Sequence, residues 1–285
     1  MHYNFMNKTL FASIATMVCT IVPLPTNALP TITQNPLPSP FLYTFNVPGI
    51  LYESGTMAES SSRYFWVNSG AKFIIANGTG QTIQGTLIPD EPWRVKYART
   101  NPLDTGNGYY PQNIFRLVTR NTWKNFSQQI QFKLTNVNIT DTPNRDGYSG
   151  VLFLNRYHDG ANLYYAGLRE DGTAVIKKKV GGRYYTMASR AVFTERVYDK
   201  WTNPNLIPMN TWMGLKSEVR DLPDGSVSIV LWLDKNNTGA WQKVLSTVDS
   251  NGKYGSTSVI EGPAYAGLRT DYLDVQFKAY KFSEI

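Results

Sequence analysis

The 285 residues are 42% apolar and 13% aromatic, ample material for a core that needs no cross-links. Residues 29–285 contain no cysteine, the single one being Cys19, so disulfides, thiol nucleophiles and cysteine-type zinc sites are excluded there together. A formal net charge of +7 favours anionic partners, although excess charge also serves solubility.

Residues 1–28 combine a polar start containing Lys8, an apolar run from Leu10 to Leu24 and the small-residue ending Thr26-Asn27-Ala28, the pattern of a cleaved secretory signal. The run is too short and too proline-interrupted to span a bilayer, and Val18 before Cys19 is not the small residue a lipid anchor requires. The expectation is a secreted, extracellular protein beginning near Leu29, without a membrane segment. Residues 29–48 read as a proline-rich lead-in and 49–285 as a single domain.

Short runs with β-strand composition then recur every eight to twelve residues or so, separated by turn residues. The predicted strands are Tyr64–Val67, Lys72–Ile75, Thr82–Leu87, Arg94–Arg99, Ile114–Thr119, Gln128–Leu134, Val151–Tyr157, Leu163–Arg169, Thr173–Val180, Tyr184–Ala188, Thr211–Val219, Val227–Leu233, Gln242–Val248, Ala264–Arg269 and Asp274–Phe282. Phe193–Asn210 reads as a long loop. No dozen residues carry a period of 3.6, so the chain is expected to be all-β. The clearest stretch is Gly150–Ala188, where Asp159-Gly160, Asp171-Gly172 and Gly181-Gly182 separate strands of a meander, because glycine accepts the positive φ of a tight hairpin turn.

Alternation sorts these strands into two faces. Phe115 and Leu117 oppose Arg116 and Arg120; Ile130, Phe132 and Leu134 oppose Gln131 and Lys133; Val275, Phe277 and Ala279 oppose Gln276, Lys278 and Tyr280. Within Lys177-Lys178-Lys179 the middle residue cannot share a face with its neighbours, which argues against a phosphate or nucleic-acid claw. The outward set is cationic, amide-rich and aromatic. Tyr157, Tyr165, Tyr184, Tyr185, Trp232 and Tyr280 are candidate stacking platforms. Gln131, Arg156, Arg169, Lys216 and Gln276 are candidate hydrogen-bonding groups.

The run Asn162-Leu163-Tyr164-Tyr165-Ala166-Gly167-Leu168-Arg169-Glu170-Asp171-Gly172, its partial echo Tyr265-Ala266-Gly267-Leu268-Arg269-Thr270-Asp271 and the closing Asp274-Val275-Gln276-Phe277 resemble the concanavalin A-like, laminin-G-like jelly-roll superfamily. The resemblance implies an all-β sandwich of two antiparallel sheets. It also implies a carbohydrate-active protein holding a polysaccharide on a concave sheet face, and the charge points to an anionic one. Superfamily glucanases carry Glu-x-Asp-x-(x)-Glu on one strand, a pattern missing here, so an enzyme of this class would be a polysaccharide lyase cleaving a uronate polymer by β-elimination rather than a glycoside hydrolase. Arg116-x-x-x-Arg120 and Gln276-Phe277-Lys278-Ala279 resemble, loosely, two strands of alginate lyases, with Gln276 in place of a Tyr and Tyr280 in place of a Gly. The substrate-binding candidates are then Arg116, Arg120, Arg156, Arg169, Lys278 and Trp232. Tyr165 and His158 become the catalytic candidates if the chain is a lyase, because tyrosine and histidine transfer the protons of that reaction. One shared cleft for these residues requires the meander and the terminal strand to lie in the same sheet. No cofactor is expected, a structural calcium held by oxygen ligands being the only metal the residue types admit. The partner expected is a polysaccharide, not a nucleic acid or a membrane, for a monomeric protein.

Overall fold

The computed structural model describes residues 37–285, so the expected signal at 1–28 and the beginning of the proline-rich lead-in lie outside the described residues. One sheet has nine strands in the order β14 (Gln242–Asp249), β13 (Val227–Asp234), β12 (Met213–Asp221), β7 (Phe126–Val137), β16 (Leu273–Glu284), β5 (Thr79–Gln81), β4 (Lys72–Ala76) and β2 (Gly49–Tyr52). The ninth strand, β1 (Phe41–Tyr43), lies within the proline-rich lead-in and pairs with Tyr280–Phe282 of β16. The other sheet has seven: β11 (Arg183–Ala191), β10 (Thr173–Val180), β9 (Asn162–Arg169), β8 (Gly150–Asp159), β15 (Ala264–Asp271), β6 (Ile114–Trp123) and β3 (Phe65–Ser69). All pairings within both sheets are antiparallel. This is the expected two-sheet jelly-roll sandwich, and the predicted meander is four successive neighbours, β8 to β11.

The inward faces meet in one core. Phe115, Leu117, Phe153, Ala166 and Ile176 come from the seven-stranded sheet, and Ile130, Phe132, Leu215, Ile229 and Phe277 from the nine-stranded one; all are buried in the same cluster. Burying each large side chain contributes about 1.5–3 kcal/mol, which accounts for a fold of this size standing without disulfides.

Five expectations are corrected. Arg94–Arg99 is not a strand but part of helix α1 (Pro92–Thr100). Its alternating Val95 and Tyr97 imitate a strand, whereas the decisive signal precedes them. Pro92 occupies the first turn, where its missing N–H costs nothing, and the Glu91 carboxylate accepts from the amides of Trp93 at 2.8 Å and Arg94 at 3.2 Å. Thr82–Leu87 is irregular, the strand being the shorter Thr79–Gln81 just before it.

Tyr280 faces the core instead of solvent. Between Lys278 and Lys281, β16 carries one residue more than its partner β7, and Ala279 absorbs it with φ of 50°. Such a bulge moves every later side chain to the opposite face. The Tyr280 hydroxyl donates to Gln128 Oε1 at 2.8 Å, and Gln128 Nε2 donates to Asn155 Oδ1 at 2.7 Å. A second bulge, at Arg156 (φ 51°), turns Tyr157 outward and buries Arg156 itself.

Finally, the meander and the terminal strand do not share a sheet. The chain leaves β15 at Tyr272, whose φ is 57°, and β16 continues in the opposite layer. The single cleft expected from Arg116 to Lys278 is therefore divided between two opposite outer faces.

Candidate functional site

The outer face of the seven-stranded sheet is unusual in having its own apolar layer. Val118, Leu152, Leu154, Leu163, Tyr165 and Val175 are buried there in a cluster separate from the core. Loop residues Asn144, Asp146, Tyr148 and Ser149, between β7 and β8, help to line a cavity of about 390 Å³ over this layer. Tyr165, Lys177, Tyr184, Arg269 and Asp271, together with Asp104 and Tyr272, contribute the rest of its chemistry.

Register explains the assembly. Lys177 of β10 lies opposite Tyr165 of β9, and Arg269 of β15 lies opposite Leu152 of β8 and Arg116 of β6, so all share the outward face. Arg269 is the hub. Its Nε donates to Asp271 Oδ1 at 2.8 Å, and its Nη1 donates to the hydroxyls of Tyr165 at 2.9 Å and Tyr184 at 3.2 Å. The two tyrosine rings stack at 6.0 Å between centroids. Lys177 Nζ sits 5.0 Å from the centre of the Tyr148 ring and 5.8 Å from that of Tyr184, and Lys179 Nζ sits 4.6 Å from Tyr184. Arg169 stacks 4.0 Å from the Tyr148 centroid while paired with Asp171. Tyr148 and Tyr184 are 59% and 48% exposed and rim the cavity, whereas Tyr165 is 2% exposed.

Electrostatics differentiate the hydroxyls. Burial pushes the Tyr165 hydroxyl up, against the pull of Arg269. Burial also acts to raise Tyr184, but there the Arg269 guanidinium and the Lys179 ammonium outweigh it and bring the hydroxyl down to about 8. Lys177 is held below the usual lysine value by burial and by the Arg169 charge beside it. Among the described residues neither Lys177 nor Lys179 has a carboxylate within 4.0 Å, so their charges are faced by rings.

Of the residues singled out from the sequence, Tyr165 and Tyr184 line this cavity, Arg169 packs against its Tyr148 rim, and Tyr157 and Arg116 lie on the same face, Arg116 against the Tyr157 hydroxyl. The remaining substrate-binding and catalytic candidates are elsewhere. Arg120 donates to the carbonyls of Ser62 at 2.7 Å and Ser60 at 3.3 Å, pinning the segment before β3. Arg156 is fully buried, pairing with Asp221 at 2.8 Å and donating to the Gly262 carbonyl at 2.7 Å, so it cannot meet a ligand. His158 is exposed at the end of β8 and is not among the cavity's lining residues. Lys278 and Trp232 belong to the nine-stranded sheet.

Sequence reasoning missed Arg269, Lys177, Tyr148 and Asp271 as site members. Asp271 reads locally as a turn residue, and Tyr148 lies in a loop without periodicity. Only strand register brings them together. Among the described residues no group of three or more His, Cys, Asp or Glu side chains is placed to hold a metal ion.

Neither a protein-family model nor a curated protein matches the chain. Among solved structures it is similar to the carbohydrate-binding module CBM66 from Bacillus subtilis, with 12% identity over 77% of this chain and 95% of that one and a TM-score of 0.48. It is also similar to a Bacillus licheniformis β-glucanase, with 10% identity over 87% and 99% and a TM-score of 0.44. A prokaryotic β-1,3-1,4-glucanase (lichenase) derived from a mouse hindgut metagenome gives 9% identity over 87% and 100% and a TM-score of 0.43. At such scores these likenesses assign no role to any residue, and the chemistry of the site rests on its own geometry.

Proposed function

We propose that this is a secreted carbohydrate-binding protein that recognises an acidic polysaccharide at the outer face of its seven-stranded sheet. The observation that carries the reading is the Arg269 hub, one guanidinium bridging two stacked tyrosines beneath the rim formed by Tyr148 and Tyr184. Exposed rings offer flat apolar surface to the C–H faces of pyranoses, while tyrosine hydroxyls, Asn144 and Asp146 offer hydrogen-bond partners for sugar hydroxyls. Lys177 and Lys179 supply positive charge without a carboxylate within 4.0 Å among the described residues, Asp146 acting on Lys177 only from further away. The depressed Lys177 ammonium gains most, because an anion beside it offsets the burial and repulsion that disfavour its charge.

The test is calorimetric titration with polygalacturonate and with a neutral β-glucan at two salt concentrations. Salt-sensitive binding of the acidic polymer, weakened in Lys177→Ala and in Tyr184→Ala, is expected. Equal binding of both polymers without salt dependence would refute the acidic preference.

Tyr184 favours a second reading, β-elimination. A hydroxyl near 8 between two cations is a competent base for the proton α to a uronate carboxylate, with Lys177 and Arg269 offsetting the carboxylate's charge. The C–H proton would pass to the phenolate and the C–O bond to the leaving sugar would break as the double bond forms. Tyr165, the base candidate from sequence, is unsuited because its hydroxyl is buried and raised. Ultraviolet absorbance of an unsaturated product, lost in Tyr184→Phe, identifies this chemistry.

A further inference from the structure

The opposite side of the sandwich carries a second organised surface. Five residues lie in register across five adjacent strands on the outer face of the nine-stranded sheet: Lys243, Trp232, Lys216, Gln129 and Lys281. Four inter-strand spacings of ~4.8 Å make this row about 19 Å long, enough for several pyranose rings. Beside it runs a second row, Asp234, Gly214, Gln131 and Lys278, and beyond that a third, Lys133, Gln276 and Gln81.

Three indoles lie among these rows. Lys216 Nζ is 4.5 Å from the Trp232 ring centre and 5.5 Å from that of Trp241. Trp212 is flanked by Lys278 at 4.5 Å and Lys133 at 5.1 Å. Trp241 lies directly over Gly214, where a Cβ would stand 2.6 Å from the indole Cη2. Glycine is required there for the ring to rest on the strand.

The charge of this face is mainly positive, with Glu218 and the largely buried Asp234, whose carboxylate accepts from backbone amides of the following turn, as its acidic members. Of its five lysines only Lys216 has a carboxylate within 4.0 Å among the described residues, Glu218 at 3.7 Å. Like charges gathered on one surface repel, and a polyanion laid across them removes that repulsion. We propose that this face is a second binding surface, independent of the pocket on the seven-stranded sheet, and that its ligand is a linear polyuronate. The indoles pack against the C–H faces of the sugars, the lysines neutralise carboxylates along the polymer, and the glutamines between them bond hydroxyls. No arginine occurs in these rows, and arginine is the side chain that grips phosphate in bidentate fashion, so a nucleic acid is the poorer fit. Because the two outer faces point away from each other across the sandwich, one protein molecule holds two polymer strands and cross-links them.

The test uses the full chain with polygalacturonate. Lys133, Lys216 and Lys278 are replaced together by glutamine, which keeps them polar and partly exposed, and an unchanged unfolding temperature verifies the fold. The triple variant should bind at least tenfold more weakly at low salt and show a shallower salt dependence. Long polymer should become turbid on mixing with the wild-type protein and not with the triple variant. In a Lys177→Ala, Lys179→Ala variant the affinity contributed by this face should persist, so failure of the pocket reading and failure of this one give different patterns. Unchanged polygalacturonate affinity in the triple variant would overturn the proposal. So would tighter binding of single-stranded oligodeoxythymidylate than of polygalacturonate through the same lysines.

Discussion

Three consecutive lysines on β10 should behave as two different kinds of residue. Lys178 points into the sandwich, where its Nζ lies 2.8 Å from Asp249 Oδ2 and both side chains are fully buried. The Tyr164 hydroxyl donates to the same carboxylate oxygen at 2.5 Å and accepts from the Ile260 amide at 2.8 Å. Asp249 Oδ1 already has no partner. Substituting Lys178 by Met keeps most of the volume but leaves a buried carboxylate with one neutral donor. Breaking a buried pair from one side costs about 3–5 kcal/mol, chiefly because the remaining charge stays desolvated. At about 2–4 °C per kcal/mol for a domain of this size, the unfolding temperature should fall by roughly 6–20 °C.

Lys177→Ala and Lys179→Ala, by contrast, remove outward side chains and should change stability by about 0.5 kcal/mol or less while weakening binding of acidic polymer. Thermal unfolding followed by circular dichroism, with titration of the same three variants, separates the two effects. Lys178→Met combined with Asp249→Leu should regain much of the loss, since the penalty belongs to the orphaned charge. If Lys178→Met unfolds within about 1 kcal/mol of wild type while Lys177→Ala loses several, the face assignment of β10 is wrong.

Further expectations concern single groups. Affinity for acidic polymer should fall as pH rises through about 8, where the Tyr184 hydroxyl becomes an anion in the site, and Tyr184→Phe should abolish that step; on the elimination reading, turnover should instead rise through the same pH. Burial holds Glu170 well above the usual carboxylate range despite Arg145, so the folded state keeps a proton that the unfolded chain gives up. Its contribution is complete below the usual range and is lost as pH rises, so Glu170→Gln should be more stable than wild type at neutral pH, with the gap closing on acidification in urea titrations. Tyr280→Phe should cost about 1–3 kcal/mol in the same assay by leaving Gln128 Oε1 buried without a donor.

The sandwich class was legible because period-two alternation and glycine turns are local signals. The strands from β6 onward are where composition puts them. The site was less legible because it depends on parity and on sheet membership, which are not local. Up to Lys278 the outward set of β16 is correctly read, and one extra residue at Ala279 then sends Tyr280 inward. Arg156 does the same in β8, so Tyr157 gains the outer face and the arginine loses it. Neither position is a glycine, so nothing in the sequence marks the bulge. Arg269 was visible as a residue but not as a hub, since its partners Tyr165 and Tyr184 lie 104 and 85 positions away.

What the fold does with its cations follows one rule across both sheets. Those whose strands turn them inward meet a carboxylate: Lys178 with Asp249 and Arg156 with Asp221. Those turned outward from the centres of the sheets mostly meet aromatic rings instead, as Lys177 and Lys179 do on one face and Lys133, Lys216 and Lys278 on the other. A ring accommodates an ammonium without cancelling its charge. These two inward cations are therefore paired inside the fold, while the lysines on the two outer faces keep their charge. A chain that needed charge only for solubility would have no reason to set its lysines beside tyrosine and tryptophan. That pairing holds cation and ring together, the combination the proposed acidic sugar would need, and it occurs on both sides of the sandwich.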